Sequence, residues 1–329
     1  MAHADRNDLR LINLCDTSQG RGCAWVTQTP TRTTVAFGSD TAANTRFRSL
    51  MSELGVVIAP RLQTPADTLG WAGFQLSADL DVTQISNGKS FWNGIEGVQP
   101  ANPSSTRPAS WLTTVGGFVR KGIVPPLELG VGAVNVLQSG LWALQGYVKV
   151  AVQEGFHDMP LPSLALRAGF SDLVGTDQVT LRVYSLDVVI SKAFSIAGTA
   201  RFEPFLGWDA LLISAKSGVI DATPECDAAT VQKTNAANAS AVSALPKSCQ
   251  AQAGTSADFG ANFTFPGQSL ITRNRWFGGA KLKLWNLFLA GQFAVIPAGG
   301  SRDGSTPMGA ANDQSGTQKT VSMSVGLDL

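Results

Sequence analysis

Hydrophobic and polar positions along this chain follow two periods in succession. Residues 1–38 are polar and irregular. Over 39–58 the apolar residues Phe47, Leu50, Met51, Leu54 and Ile58 recur at helical spacing, the mark of an amphipathic helix. Ser39 or Asp40 can cap that helix, its body spans 43–57, and Gly55 and Pro60 mark its end. From 69 to 329 the period becomes two and stays there. In the stretch 142–153, Trp142, Leu144, Val148, Val150 and Val152 share one face, while Ala143, Gln145, Tyr147, Lys149 and Gln153 share the other. The same alternation runs through 72–82, 200–212 and the last nine residues.

The pattern predicts ten strands, at 69–83, 110–121, 126–137, 141–154, 163–174, 178–194, 198–215, 270–285, 287–297 and 318–329. Pro, Gly and Asn stand at nearly every boundary. Links after the first, seventh and ninth strands are long. The longest, 216–268, is rich in Ala, Ser, Thr and Asn.

Composition narrows the class. Apolar residues make up 44% of the chain, which excludes disorder over its whole length. The formal net charge is +1, so no nucleic-acid partner is expected through bulk charge. Charged residues are 15%, well under the ~25% of soluble domains. Yet no uninterrupted apolar run reaches the ~18 residues of a membrane helix.

Alternation by itself also fits a soluble sandwich. Four features favour a sheet in a membrane. Small residues such as Gly73, Ser77, Gly169, Gly207, Gly279 and Ser324 accompany the polar face and suit a narrow interior. Most strands exceed ten residues, long enough to cross a bilayer at a tilt. Trp71, Trp142, Phe156, Phe170, Phe194 and Trp285 collect near strand ends, as in interfacial girdles. The chain finishes on an alternating strand. A sheet in lipid must close on itself to pair its backbone groups.

On these residues, 69–329 resembles a bacterial outer-membrane β-barrel protein of the porin-like type. Leu329 departs from that family's terminal aromatic, commonly Phe, but keeps its apolar character. The resemblance implies an all-β fold, a transmembrane antiparallel up-and-down barrel of about ten strands, with twelve as the next even count. It divides the chain into an N-terminal periplasmic or plug segment, 1–68, carrying the helix 43–57, and a barrel, 69–329, whose loop 216–268 is extracellular. The expected location is the bacterial outer membrane, in contact with its lipid. Ala2-His3-Ala4 reads as the tail of a signal-peptide cleavage site.

With the apolar face toward lipid, the other face lines the lumen. It carries Gln75, Asp79, Asp81, Gln145, Lys149, Arg167, Arg182, Arg201, Glu203, Asp209, Arg273, Arg275, Lys281 and Lys283. The phase slips near Tyr184-Ser185, where a bulge would also turn Asp187 inward. Arg273, Arg275, Lys281 and Lys283 share one face of the eighth strand. They form either a basic ladder that guides anions or ion pairs with Glu203 and Asp209 that fill a closed interior. Ten strands leave only a narrow lumen. The helix either plugs the barrel or lies along the periplasmic membrane surface, and its link to the first strand keeps it near the periplasmic opening.

The function expected first is a narrow or gated channel for small polar or ionic solutes. The alternative is a non-conducting structural or adhesion barrel that binds a protein partner through loop 216–268. Catalysis is not expected. Outer-membrane hydrolases use His with Ser or Asp, and this chain has only His3, in the irregular start, and His157, in a turn. No metal or other cofactor is expected, and Asp221, Glu225, Asp227, Asp303 and Asp313 read as solvated loop carboxylates. Cys15 with Cys23 and Cys226 with Cys249 form two local pairs without CxxC spacing. They predict two disulfides in an oxidising compartment, with neighbour pairing the simplest of three connectivities. Solute, partner and oligomeric state stay open.

Overall fold

The computed structural model describes residues 5–15, 27–29, 32–34, 41–61, 64–98, 106–154, 161–196, 199–221, 237–245, 250, 262–265, 267–303 and 311–329. Ten long strands dominate it: β1 (Phe74–Gln84), β2 (Trp111–Val124), β3 (Leu127–Val136), β4 (Trp142–Gln153), β5 (Ser163–Val174), β6 (Val179–Ser191), β7 (Ala200–Ser217), β8 (Ile271–Leu284), β9 (Leu287–Ile296) and β10 (Gln318–Asp328). Each is antiparallel to its neighbour in sequence. The last pairs with the first, Val321 opposite Val82, so the sheet closes. Across the longest link, β7 meets β8 in register over its length, Trp208 opposite Trp276. A short segment, Phe194–Ile196, adds to the start of β7.

Closure leaves no free edge, which is what lipid demands of a sheet. The outer surface supplies the other requirement. Leu144, Val148, Leu186, Leu206, Leu289 and Met323 all stand exposed on it, with Trp71, Trp142 and Trp285 at its rims. So large an apolar surface on a monomer marks a membrane-facing wall. Among the described residues no helix is long and apolar enough to cross a membrane.

The two ends of the barrel differ. β1 starts and β10 finishes at one end, where turns 125–126 and 285–286 are tight. The opposite end carries the long links 85–110, 218–270 and 297–317. In such barrels short turns face the periplasm and longer loops face outward; by that convention the long-loop end is called the outer end.

The first strand begins at Phe74 and not at residue 69 as the alternation predicts. Gly70 and Ala72 both have positive φ, 70° and 64°. They reverse the chain at the terminal mouth, from a path inside the lumen into the wall. Gly70 takes that left-handed geometry without a Cβ penalty.

Helix α1, Thr41–Val57, matches the spacing of the sequence, but its position does not match. It lies at the outer end, against β6, β7 and β8 and the segment 311–312, and not beside the mouth where β1 begins. Residues 58–61 and 64–70 bond to the inner wall of the barrel from Gln145 to Glu128, so closeness in sequence to β1 does not place the helix near its start. Gly55 rests on the Ile213 side chain of β7, where a Cβ would come within 2.8 Å of it.

Candidate functional site

The candidate site is the lumen, and it has two zones. In the outer half the inward faces of the strands turn apolar. Val179, Leu181 and Val183 on β6, Leu211 and Ile213 on β7, and Val134 and Val136 on β3 pack with Phe47, Leu50, Met51 and Leu54 of α1 in one buried cluster. Phe47 stacks on Phe265 with centroids 4.7 Å apart.

The helix is buried on every side, so its polar residues also need partners. Glu53 accepts from Trp92 Nε1 at 2.7 Å and from the amides of Ser86 and Gly316. Arg48 donates to the carbonyls of Ser269 and Leu270 and to Ser301 Oγ. Burial holds the Arg48 guanidinium below its ordinary value, opposed by Asp313 and Asp303. Those two carboxylates are not solvated loop groups, as the sequence reading has them. Both are buried, Asp313 accepting from Ser52 and Asp303 from the Ser269 amide.

The inner half is ionic. Arg167 on β5 reaches Asp187 on β6 through Nε at 2.9 Å and Nη2 at 3.2 Å. Arg275 on β8 meets Asp209 on β7 at 2.6 Å. Lys149 on β4 meets Glu128 on β3 at 3.1 Å, and Glu128 also accepts from Tyr147 Oη. Arg120 donates to Gln75 and Ser77 and stands 3.7 Å from Asp79. The first three ion pairs sit directly opposite on adjacent strands, where cross-strand neighbours interact, and Arg120 lies opposite Gln75.

Residues 58–61 and 64–70 of the link bond to these walls. Gln145 donates to the carbonyls of Ile58 and Ala59. Arg61 pairs with Asp81 and donates to Thr114 Oγ1. Arg275 donates to the carbonyl of Pro60, and Arg167 to Thr64 Oγ1. Lys149 donates to the carbonyls of Pro65 and Asp67. Thr68 reaches Glu154, and Leu69 reaches Glu128. Two spaces remain. One, of about 10 Å³, is lined by Asp81, Gln292, Ser322 and Arg275, room for roughly one water. The other, of about 140 Å³, opens at the terminal mouth.

Gln75, Asp79, Asp81, Gln145, Lys149, Arg167, Asp209, Glu203, Arg273, Arg275 and Lys281 all lie buried inside the barrel, and Arg201 and Lys283 line its terminal mouth. The basic face of β8 is no open ladder. Arg275 is spent on Asp209, and Lys281 and Lys283 on Asp328 rather than Glu203. Arg273 donates to Ser52, Ser315 and the carbonyls of Pro297 and Gly316.

Arg182 is not in the lumen. It faces outward and pairs with Asp172 of β5 at 3.1 Å. β6 has no bulge near Tyr184-Ser185: its pairing is continuous on both sides. The apparent phase slip arises because the inward face changes from Asp187 and Ser185 to Val183 and Leu181, where α1 packs against it.

Arg61, Asp67, Arg120, Glu128 and Asp328 also build the interior, and the sequence reading did not select them. Continuing the two-residue phase from Thr114 through Phe118 reaches Arg120. Arg61 and Asp67 carry no such signal, because the link is not part of the wall. Cys15 is buried and is not a free thiol, while Cys23, Cys226, Cys249, His3, His157 and most of loop 216–268 lie outside the described residues.

No family model and no curated protein matches this sequence. Among solved structures, the chain is similar to the attachment invasion locus protein Ail of Yersinia pestis at 7% identity, covering 79% of this chain and 99% of that one, with a TM-score of 0.26. It is similar to Neisserial surface protein A at 9% identity, covering 78% and 96%, with a TM-score of 0.27. It is similar to the outer-membrane protease OmpT of Escherichia coli at 7% identity, covering 78% and 95%, with a TM-score of 0.34. The closed sheet, the apolar belt around it and the polar, ion-paired inner half make this chain an integral β-barrel of the bacterial outer membrane.

Proposed function

We propose that this protein is a closed outer-membrane barrel that holds a folded cap at the cell surface for binding a partner, and that it does not conduct solutes. The sequence offers a non-conducting, partner-binding barrel as its alternative, with the partner on loop 216–268; here that alternative is set ahead of the channel and the cap takes the place of the loop. One observation carries it. Helix α1 fills the outer half of the lumen, and residues 58–61 and 64–70 run through the inner half, fastened to the wall by hydrogen bonds on β2, β3, β4, β5 and β8. Among the described residues, spaces of about 10 and 140 Å³ are left beside the link.

The cap is built where a partner would meet it. Residues 5–15 fasten to the outer turns of the barrel: Asn7 donates to the carbonyls of Leu137 and Gln138, Asp8 accepts from Gly140, and Gln178 bonds Leu9 and Leu11. The links 85–98 and 297–303 join them there, and loop 216–268 departs from the same end. The reading is one of binding, with no catalytic step.

Planar-bilayer recording of the purified full chain tests it. The expected result is no single-channel steps, with steps appearing when residues 1–70, helix and link together, are deleted and the barrel still folds. Steady conductance from the full chain would return the narrow channel to first place.

A further inference from the structure

The space at the terminal mouth is more than a gap. Its volume is about 140 Å³, and its wall is electrically polarised. Lys149 is spent, because its ammonium donates to Glu128 and to the carbonyls of Pro65 and Asp67. The remaining charges divide unevenly. Arg201 Nη2 serves two carboxylates at once, Asp67 at 2.5 Å and Glu203 at 3.4 Å. Asp328 Oδ2 serves two ammoniums at once, Lys281 at 3.0 Å and Lys283 at 3.2 Å. The first group carries one negative charge in excess and the second one positive.

The two poles are neighbours. Arg201 lies opposite Lys283, and Glu203 opposite Lys281, across the β7–β8 ladder. Each pole also has an unused hydrogen-bonding atom. Gln75, paired with Asp328 on the adjoining strand, is buried, and its Nε2 donates to nothing. Asp67 Oδ1 is buried and accepts from nothing. A donor waits beside the positive pole and an acceptor beside the negative one. Buried polar atoms ordinarily find partners.

We propose that this mouth is a binding site for a small zwitterion of the α-amino-acid class, entering from the periplasmic side. The ligand carboxylate sits between Lys283, Lys281 and Gln75 Nε2. Its ammonium sits against Asp67 Oδ1 and Glu203. The short distance between opposite charges in an α-amino acid suits poles on adjacent strands, and its neutrality suits a lining whose charges cancel. The site needs no open lumen, so it stands or falls apart from the closed-barrel reading, which conductance decides.

Isothermal titration of the full chain in detergent at low salt, with glycine as the probe, tests the site. Acetate, methylammonium and glycerol serve as single-charge and neutral controls of similar size. The expected result is saturable glycine binding that none of the three controls matches. Lys283→Gln and Gln75→Leu should each weaken it by about tenfold, the scale of one lost charge-assisted hydrogen bond. Heat-modifiable gel migration reports whether each variant is folded. If one variant fails to fold, the other decides, since they remove different donors from the same pole. No glycine binding would mean a vestibule that holds only water. Acetate binding as tight as glycine would mean a plain anion site. Glycine binding unchanged in a folded variant would place the ligand elsewhere. Each of these three outcomes overturns the proposal.

Discussion

Gln145 of β4 holds Arg61 of the threaded link by its backbone: the Arg61 amide donates to Gln145 Oε1 at 3.2 Å, and Gln145 Nε2 donates back to the carbonyls of Ile58 and Ala59. One amide side chain thus satisfies three backbone groups of a segment that has no strand neighbour. Gln145→Leu keeps much of the volume and strips all three of their partner. Each buried unsatisfied group costs about 1–3 kcal/mol, so the variant should unfold at clearly lower denaturant in detergent. An unchanged midpoint would mean that the link is not fastened at this point.

The Arg167–Asp187 pair is fully buried and two-pronged. Arg167→Met leaves the Asp187 carboxylate without its cation and should cost about 3–5 kcal/mol. Arg167→Met combined with Asp187→Leu should recover most of that loss, because no buried charge is left alone. Equilibrium unfolding of the two single variants and the double variant gives the coupling. Additive losses would show that the pair does not act as a unit.

Inside and outside can be told apart on one strand. Ile213 of β7 is fully buried against α1, while Leu206 is 60% exposed on the outer wall. Ile213→Ala opens a cavity and should cost about 2–5 kcal/mol. Leu206→Ala exchanges one lipid contact for another and should cost far less, whereas Leu206→Arg should cost roughly 2–4 kcal/mol near the bilayer midplane. Folding titrations in lipid vesicles measure all three. Equal losses for the two alanine variants would put Ile213 in the lipid.

The threaded link also fixes where the two ends of the described chain lie. Asp5 is at the long-loop end, with the turn residues Gln138 and Gly140, and Leu329 is at the opposite end, beside Phe74. An epitope inserted before Asp5 should bind antibody on intact cells. The same epitope after Leu329 should bind only after the outer membrane is opened. Labelling of both, or of neither, on intact cells would reverse or break the threading.

The wall of this barrel was legible in the sequence because a strand in a membrane sheet is read one residue at a time. Leu144 and Leu206 must meet lipid and Lys149 and Glu203 must not, so a period of two, sustained to the end of the chain, specifies strand number, faces and closure. The helix was legible for the same local reason, since Phe47, Leu50 and Leu54 mark one side of a 3.6-residue period. Neither period contains the distance between elements. Whether α1 sits at one mouth or the other depends on the link 58–70, whose Arg61, Thr64 and Asp67 follow no repeat and take their places only from Asp81, Arg167 and Arg201 on strands far away in sequence. The apolar inner face of Val183, Leu211 and Ile213 is likewise intelligible only once the helix is inside, because a lumen facing water would not favour it. Local periodicity therefore settled the barrel, and only long-range packing and ion pairing placed the helix and the link inside it.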